Sequence, residues 1–225
     1  MSHKEIIKEA RGENRKTLSE YESKAILKEF GIPILNEHFI KNIEELQSIS
    51  QNLSFPVVLK GVSRGIAHKT EKNLVRLYIK SEKELISEFV DVMKVEGVDG
   101  ALIAPQIMDK REFLLGLKED KQFGYVVLFG LGGIFTEVFK DISMRICPIT
   151  RQDALEMITE VRSAKLLNEI RGYKEIYKDK IIDCLIALST LSEKIPDISE
   201  IDINPIMFSD GNPVAVDALI VLKDN

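Results

Sequence analysis

Phe129-Gly130-Leu131-Gly132-Gly133-Ile134-Phe135-Thr136-Glu137 decides between two folds. Gly130-x-Gly132 begins like the glycine turn of a dinucleotide-binding βαβ unit, but Phe135 stands where the third glycine belongs. That turn must open a helix, whereas residues 134–139 read as a strand. The run is therefore expected to be a tight connection between strands. Clustered glycines let backbone N–H groups converge on an anion. A glycine hairpin with no ligand fits the same pattern. Glu137 and Asp141 follow, and each alone would suit a solvated surface. Working outward, residues 101–107, 112–117 and 125–129 also read as strands with short connections. Strands in runs, without strict βαβ alternation, indicate an α+β chain.

The second informative stretch is Glu200-Ile201-Asp202-Ile203-Asn204-Pro205. Strict alternation in a strand puts Glu200, Asp202 and Asn204 on one face and both isoleucines in the core. Residues 198–208 and 213–222 are expected as a closing pair around the turn Asp210-Gly211-Asn212. That hairpin would bring Asp217 beside the acidic face. Oxygen-only donors suit Mg²⁺, which bridges to substrate phosphates. An exposed polar sheet face is the plain alternative, although Asp and Asn are poor strand formers.

A third feature follows the apolar strand Pro56-Val57-Val58-Leu59-Lys60. The loop over residues 61–73 contains Lys69-Thr70, but Ser63 and His68 fill the positions where a P-loop needs glycine. What remains is a cationic loop. Lys60, Arg64 and Lys69 are suited to phosphate oxygens, and a neutral His68 imidazole is a good nucleophile toward phosphorus near pH 7. A snorkelling lysine and a solvated histidine would read the same way.

Composition removes several alternatives. The 225 residues carry 31 Lys+Arg against 36 Asp+Glu, a net charge of −5, which excludes broad electrostatic wrapping of nucleic acid. No apolar run approaches the roughly 18 residues of a membrane span. The charged residues Met1-Ser2-His3-Lys4-Glu5 are not a signal peptide. Cys147 and Cys184 are expected as reduced thiols in a cytoplasmic protein. The only histidines are His3, His38 and His68, too few for histidine-based zinc or triad chemistry.

Along the chain, residues 1–16 are expected to be a loose arm. Thr17 and Glu20 form a capping-box pattern ahead of a helix that Gly31 stops. Helices are expected near 43–51, 82–95, 151–161, 164–170 and 178–191, with strands near 37–40 and 74–79. The lobes are drawn at 17–95 and 96–225.

Taken together these pieces resemble the ATP-grasp superfamily. Within it they are similar to the β subunits of ADP-forming acetyl-CoA (acyl-CoA) synthetases, relatives of the succinyl-CoA synthetase β chain. The resemblance runs from about Leu18 to Leu222. It is carried by Lys28-Glu29-Phe30-Gly31-Ile32-Pro33, the Pro56 to Lys60 strand, His68-Lys69-Thr70-Glu71, Phe123-Gly124, the Phe129 to Glu137 run, Lys140-Asp141, Arg171-Gly172, the Glu200 to Pro205 run and Asp217-Ala218.

The resemblance implies an ATP-grasp fold of two α+β lobes clamping ATP or ADP with Mg²⁺. Lys60 would bind phosphates. Backbone at Gln106, Ile107 and Met108 would read the adenine edge, and Glu112 would approach the ribose or the cleft. Gly130, Gly132 and Gly133, with Glu137, would shape the phosphoryl-transfer site. Asn204 and Asp217, with Asp202, would hold the metal. His68 matches the family's phosphoryl-carrying histidine. A CoA-binding α subunit would complete a heteromer that handles the acid and CoA, with no nucleic acid or membrane partner. The reaction would be acyl-CoA + ADP + phosphate ⇌ acid + CoA + ATP. An ATP-grasp carboxylate ligase working through an acyl-phosphate, or a non-catalytic ATP-binding regulatory module, remain as alternatives.

The sequence departs from the family at three places. Glu71-Lys72-Asn73-Leu74-Val75 replaces a usual Asp-Val-Gly-Gly-Val. Leu219 replaces an arginine after Asp217-Ala218. Arg111 stands where glycine is common.

Overall fold

The computed structural model describes residues 2–62, 74–133 and 139–224. His68 and Glu137 lie outside them, as does most of the expected strand over 134–139. The described chain forms two compact units: Met1–Ile34 with Ile107–Asn225, and Leu35–Gln106. The chain therefore changes unit after residues 34 and 106, not at the expected 95/96. The difference has a pairing origin. Strand β4 (Gly100–Pro105) lies along β2 (Val57–Val62) in antiparallel register, Lys60 opposite Leu102, so it belongs with what precedes it.

The shorter unit is a four-stranded antiparallel sheet in the order β1-β4-β2-β3, with β1 at His38–Ile40 and β3 at Val75–Ile79. Helices α3 (Ile43–Ser50) and α4 (Glu82–Met93) supply Leu46, Leu85, Phe89 and Val92 to its core. They meet Val57, Leu59, Ala101 and Ile103 from the strands. Alternation puts Lys60 on the opposite face of β2, half-buried.

The longer unit begins with a helix, not a loose arm. Helix α1 (His3–Gly12) starts in a capping box: Ser2 Oγ accepts from the Glu5 amide, and the Glu5 carboxylate accepts from the Ser2 amide at 2.8 Å. Ile6, Ile7 and Ala10 share one side and are buried. Helix α2 (Glu20–Glu29) is capped by Ser19 with Glu22, two residues beyond the expected Thr17 and Glu20. Arg15 clamps Glu22 at 2.9 and 3.0 Å, which favours that register. Thr17 instead bridges to Val221 at the sheet edge.

The sheet of this unit runs β10-β8-β5-β6-β7, with β9 paired to the far end of β8. Its strands are β5 (Phe113–Asp120), β6 (Gly124–Leu131), β7 (Ile142–Ile146), β8 (Ile198–Ser209), β9 (Asn212–Ala215) and β10 (Leu219–Leu222). The expected closing strand over 213–222 is thus two strands with a break at 216–218. Helices α5 (Arg151–Glu160) and α6 (Lys178–Lys194) bury Met157, Ile158, Leu185 and Leu188 against Phe113, Leu115, Leu117, Phe129 and Ile201. The expected 164–170 helix is a 3₁₀ segment, Arg162–Leu167.

The opposite face of that sheet carries a different row. Met144, Leu128, Gly116, Asp202 and Leu219 lie side by side across β7, β6, β5, β8 and β10. No helix among the described residues is long and apolar enough to cross a membrane. Both cysteines are free, and burial pushes the Cys184 thiol up to about 12.

Candidate active site

Strand β8 is regular as far as Ile203, opposite Leu115, and resumes at Ile206, opposite Phe113. The two-against-three count places a bulge at Asn204-Pro205. Bulges re-aim side chains, and proline is tolerated there because no ladder donor is needed. The bulge releases Asn204 from strict alternation. Its Oδ1 accepts the Gly133 N–H at 2.8 Å.

The break after β9 runs beside this bulge. Ala215 is opposite Ile206, Leu219 is opposite Asp202, and the Val216 N–H donates to the Pro205 carbonyl at 3.1 Å. Asp217 lies between them, in the break and not on a strand as the hairpin reading expected, and near enough for its charge to act on Asp202. The Asp217 Oδ1 accepts the Ala218 N–H at 2.9 Å. Burial first, then the charges of Glu200 and Asp217, push the Asp202 carboxyl up to about 6. Such crowded carboxylates favour a bound cation.

The glycine turn closes the site from the β5 and β6 side. The Gly132 N–H donates to the Glu112 carbonyl at 2.9 Å. A Cβ on Gly132 would enter the Phe113 backbone, and one on Gly130 would enter the Asp141 carbonyl. Gly133 has φ +65, and a side chain there would collide with the Glu112 carboxylate. The glycines are thus required by close approach of the chain itself. Of their amides, that of Gly133 is the one that reaches Asn204 among the described residues.

Two supports had no role in the sequence reading. Arg111 is buried, paired with Asp109 at 2.6 Å, and donates to the carbonyls of Leu166, Asn168 and Lys174. It also lies over the rings of Tyr173 and Phe208. The departure at position 111 therefore fastens the residue before Glu112 to the 166–174 segment. Asp141 accepts the amides of Arg162 and Ser163, each at 2.8 Å, and so caps the 3₁₀ segment. Only the Asp-x-Arg spacing of 109 and 111 hinted at the first.

In the longer unit, Gly132 and Gly133 lie against Glu112, Gly133 is bonded to Asn204, and the charge of Asp217 acts on Asp202. Ile107 is buried and Met108 is 62% exposed. In the shorter unit, the Gln106 N–H donates to the Pro56 carbonyl at 3.0 Å. The Gln106 Oε1 accepts from Tyr78, whose φ of +59 sits in a bulge of β3. That side-chain oxygen is structurally engaged, so adenine recognition at Gln106 would fall to other atoms. Among the described residues no three His, Cys, Asp or Glu side chains form a metal cluster.

Residues 9–222 match the ATP-grasp domain family. This chain belongs to the ATP-grasp family. The ATP-grasp chain is 39% identical over 226 residues to the Pyrococcus furiosus protein named acetate–CoA ligase [ADP-forming] I subunit beta, covering 97% of each. It is also 39% identical over 209 residues to acetate–CoA ligase [ADP-forming] II of Archaeoglobus fulgidus, of which it covers 30%. The sequence therefore has relatives both as a separate subunit and as part of a longer chain.

Its fold superposes with a TM-score of 0.86 on a Korarchaeum cryptofilum dinucleotide-forming acetyl-coenzyme A synthetase 1 chain. That match is 34% identical and covers 98% of this chain and 100% of that one. The structure in question holds coenzyme A and Mg-AMPPCP, with a phosphohistidine segment pointing towards the nucleotide binding site.

Proposed function

We propose that this ATP-grasp chain is the nucleotide-handling β subunit of an ADP-forming acyl-CoA synthetase. It would move phosphoryl between ATP/ADP and His68 within acyl-CoA + ADP + phosphate ⇌ acid + CoA + ATP. The observation that supports this reading is that Asp217 lies close enough for its charge to act on Asp202, on the strand whose Asn204 holds the Gly133 amide of the glycine turn. Those donors are all oxygen, and burial first, then the charges of Glu200 and Asp217, raise the Asp202 carboxyl. Both suit Mg²⁺. When bound, Mg²⁺ supplies charge neutralisation on the β- and γ-phosphates.

The chain's own groups would do the rest. Lys60 would pair with phosphate oxygens. An imidazole nitrogen of His68 would attack the γ-phosphorus as the bond to the bridging oxygen breaks, and ADP would leave with that electron pair. Glu137 and the glycine turn would shape the space around the transferring group. A CoA-binding partner would receive the phosphoryl group from His68 and handle the acid. The two free cysteines suit a reducing, cytoplasmic compartment.

Incubating the chain with Mg²⁺ and γ-labelled ATP should give an acid-labile, base-stable label. The label should be lost in His68→Ala. Equal labelling of that variant would overturn the carrier role.

A further inference from the structure

We infer that the buried ion pair Glu20–Lys24 is a positioning pair that holds the 216–218 break and so directs Asp217 toward the metal. This rests on the metal role proposed for Asp217.

The segment from Ala215 to Ile220 is tied at both ends to the chain flanking α2. The Ala215 N–H donates to the Pro33 carbonyl at 2.8 Å, just beyond the end of α2. At the other end, Leu18 donates to the Ile220 carbonyl at 3.0 Å, and the Ile220 N–H donates to Ser23 Oγ at 3.1 Å. Helix α2 therefore runs antiparallel along the segment, and the break lies across the helix between the two ties.

The face that α2 buries has an unusual make-up. Residues 20, 23, 24 and 27 follow the i, i+3, i+4, i+7 spacing of one helical stripe. Such a stripe is ordinarily apolar. Here Glu20 is 2% exposed, Ser23 0%, Lys24 1% and Leu27 0%. Lys24 Nζ lies 2.7 Å from Glu20 Oε1 with both side chains out of water.

Stability alone does not account for such a pair. Removing two charges from water is costly, and apolar residues of similar volume usually serve a fold as well or better. What a buried ion pair offers is a fixed register of charge against neighbouring polar groups. Ser23, between Glu20 and Lys24 on this stripe, is bonded to Ile220, so the stripe faces the segment whose break carries Asp217. A rigid dipole under that break would fix its backbone and the direction of the carboxylate.

The test uses the full chain with saturating ADP and Mn²⁺ as the probe, read by electron paramagnetic resonance and by thermal melting. The double variant Glu20→Gln/Lys24→Met removes both charges and keeps the volume. It should melt within a few degrees of the parent yet bind Mn²⁺ about tenfold more weakly. Leu27→Ala, on the same stripe, should melt lower with Mn²⁺ affinity unchanged, because it alters packing alone. Asp217→Asn should lose the Mn²⁺ signal.

Parent-like Mn²⁺ affinity in the double variant, with loss in Asp217→Asn, would overturn the positioning role and leave the metal reading standing. Parent-like affinity in Asp217→Asn would overturn both. If the double variant does not fold, Glu20→Asp replaces it, keeping both charges but drawing the carboxylate back from Lys24. Weakened Mn²⁺ binding there supports the proposal, and parent-like binding overturns it.

Discussion

At Asp202 stability and function pull in opposite directions. An unfolded aspartate titrates near ~3.9, whereas this one titrates at about 6 in the fold. Between those values the folded chain binds more protons than the unfolded chain. The metal-free protein should therefore lose stability as pH rises from about 4 through 6, and carry the full cost above that. Asp202→Asn should be more stable than the parent at pH 7.5 without metal, by on the order of 1–2 kcal/mol after allowance for solvent screening. It should also lose the gain in Tm that Mg²⁺ gives. Denaturant titrations across pH, with and without Mg²⁺, check both. Gly133→Ala is a second case. Its φ of +65 and the neighbouring Glu112 carboxylate leave no room for a methyl group. It should cost about 1–3 kcal/mol in urea denaturation and weaken nucleotide binding by displacing Asn204.

Among the elements, the 166–174 segment depends on one side chain. Arg111→Met would leave Asp109 unpaired and strip a donor from three carbonyls. A loss of about 3–5 kcal/mol is expected, with faster amide exchange confined first to 166–174. The sequence disclosed elements whose pattern was local. The alternation of 200–203 and the helices near 43–51 and 82–95 read correctly because neighbours in sequence decide them. It failed where a distant partner decides. Helix α1 hides its Ile6, Ile7 and Ala10 stripe among charges that only matter once the sheet is present. Strand β7 reads backwards, with Ser143 buried and Met144 exposed, because Glu160 of α5 takes Ser143 and Arg145 on the helix side. For the site, residue types on one strand were legible. The bulge that turns Asn204, and the pins at Arg111 and Asp141, depend on segments far along the chain.

For the whole molecule, deleting residues 2–12 tests the correction at the N-terminus. Loss of Ile6 and Ile7 from the core should cost roughly 3–6 kcal/mol, seen as a lower urea midpoint. A dispensable arm would leave that midpoint unchanged. The unit boundaries were not legible, because Leu35–Gln106 interrupts the other unit without any change in composition at its ends. That interruption fixes an order of events on the ribosome. Residues 35–106 can close their own core as soon as they emerge. Helices α1 and α2, made first, must wait for the strands they cover, which are all encoded beyond residue 106. At about 5–20 residues per second the delay is several seconds or more. Throughout it the apolar side of the nascent N-terminal helices is available to a chaperone. The segment made before residue 35 is thus among the last of these residues to become native.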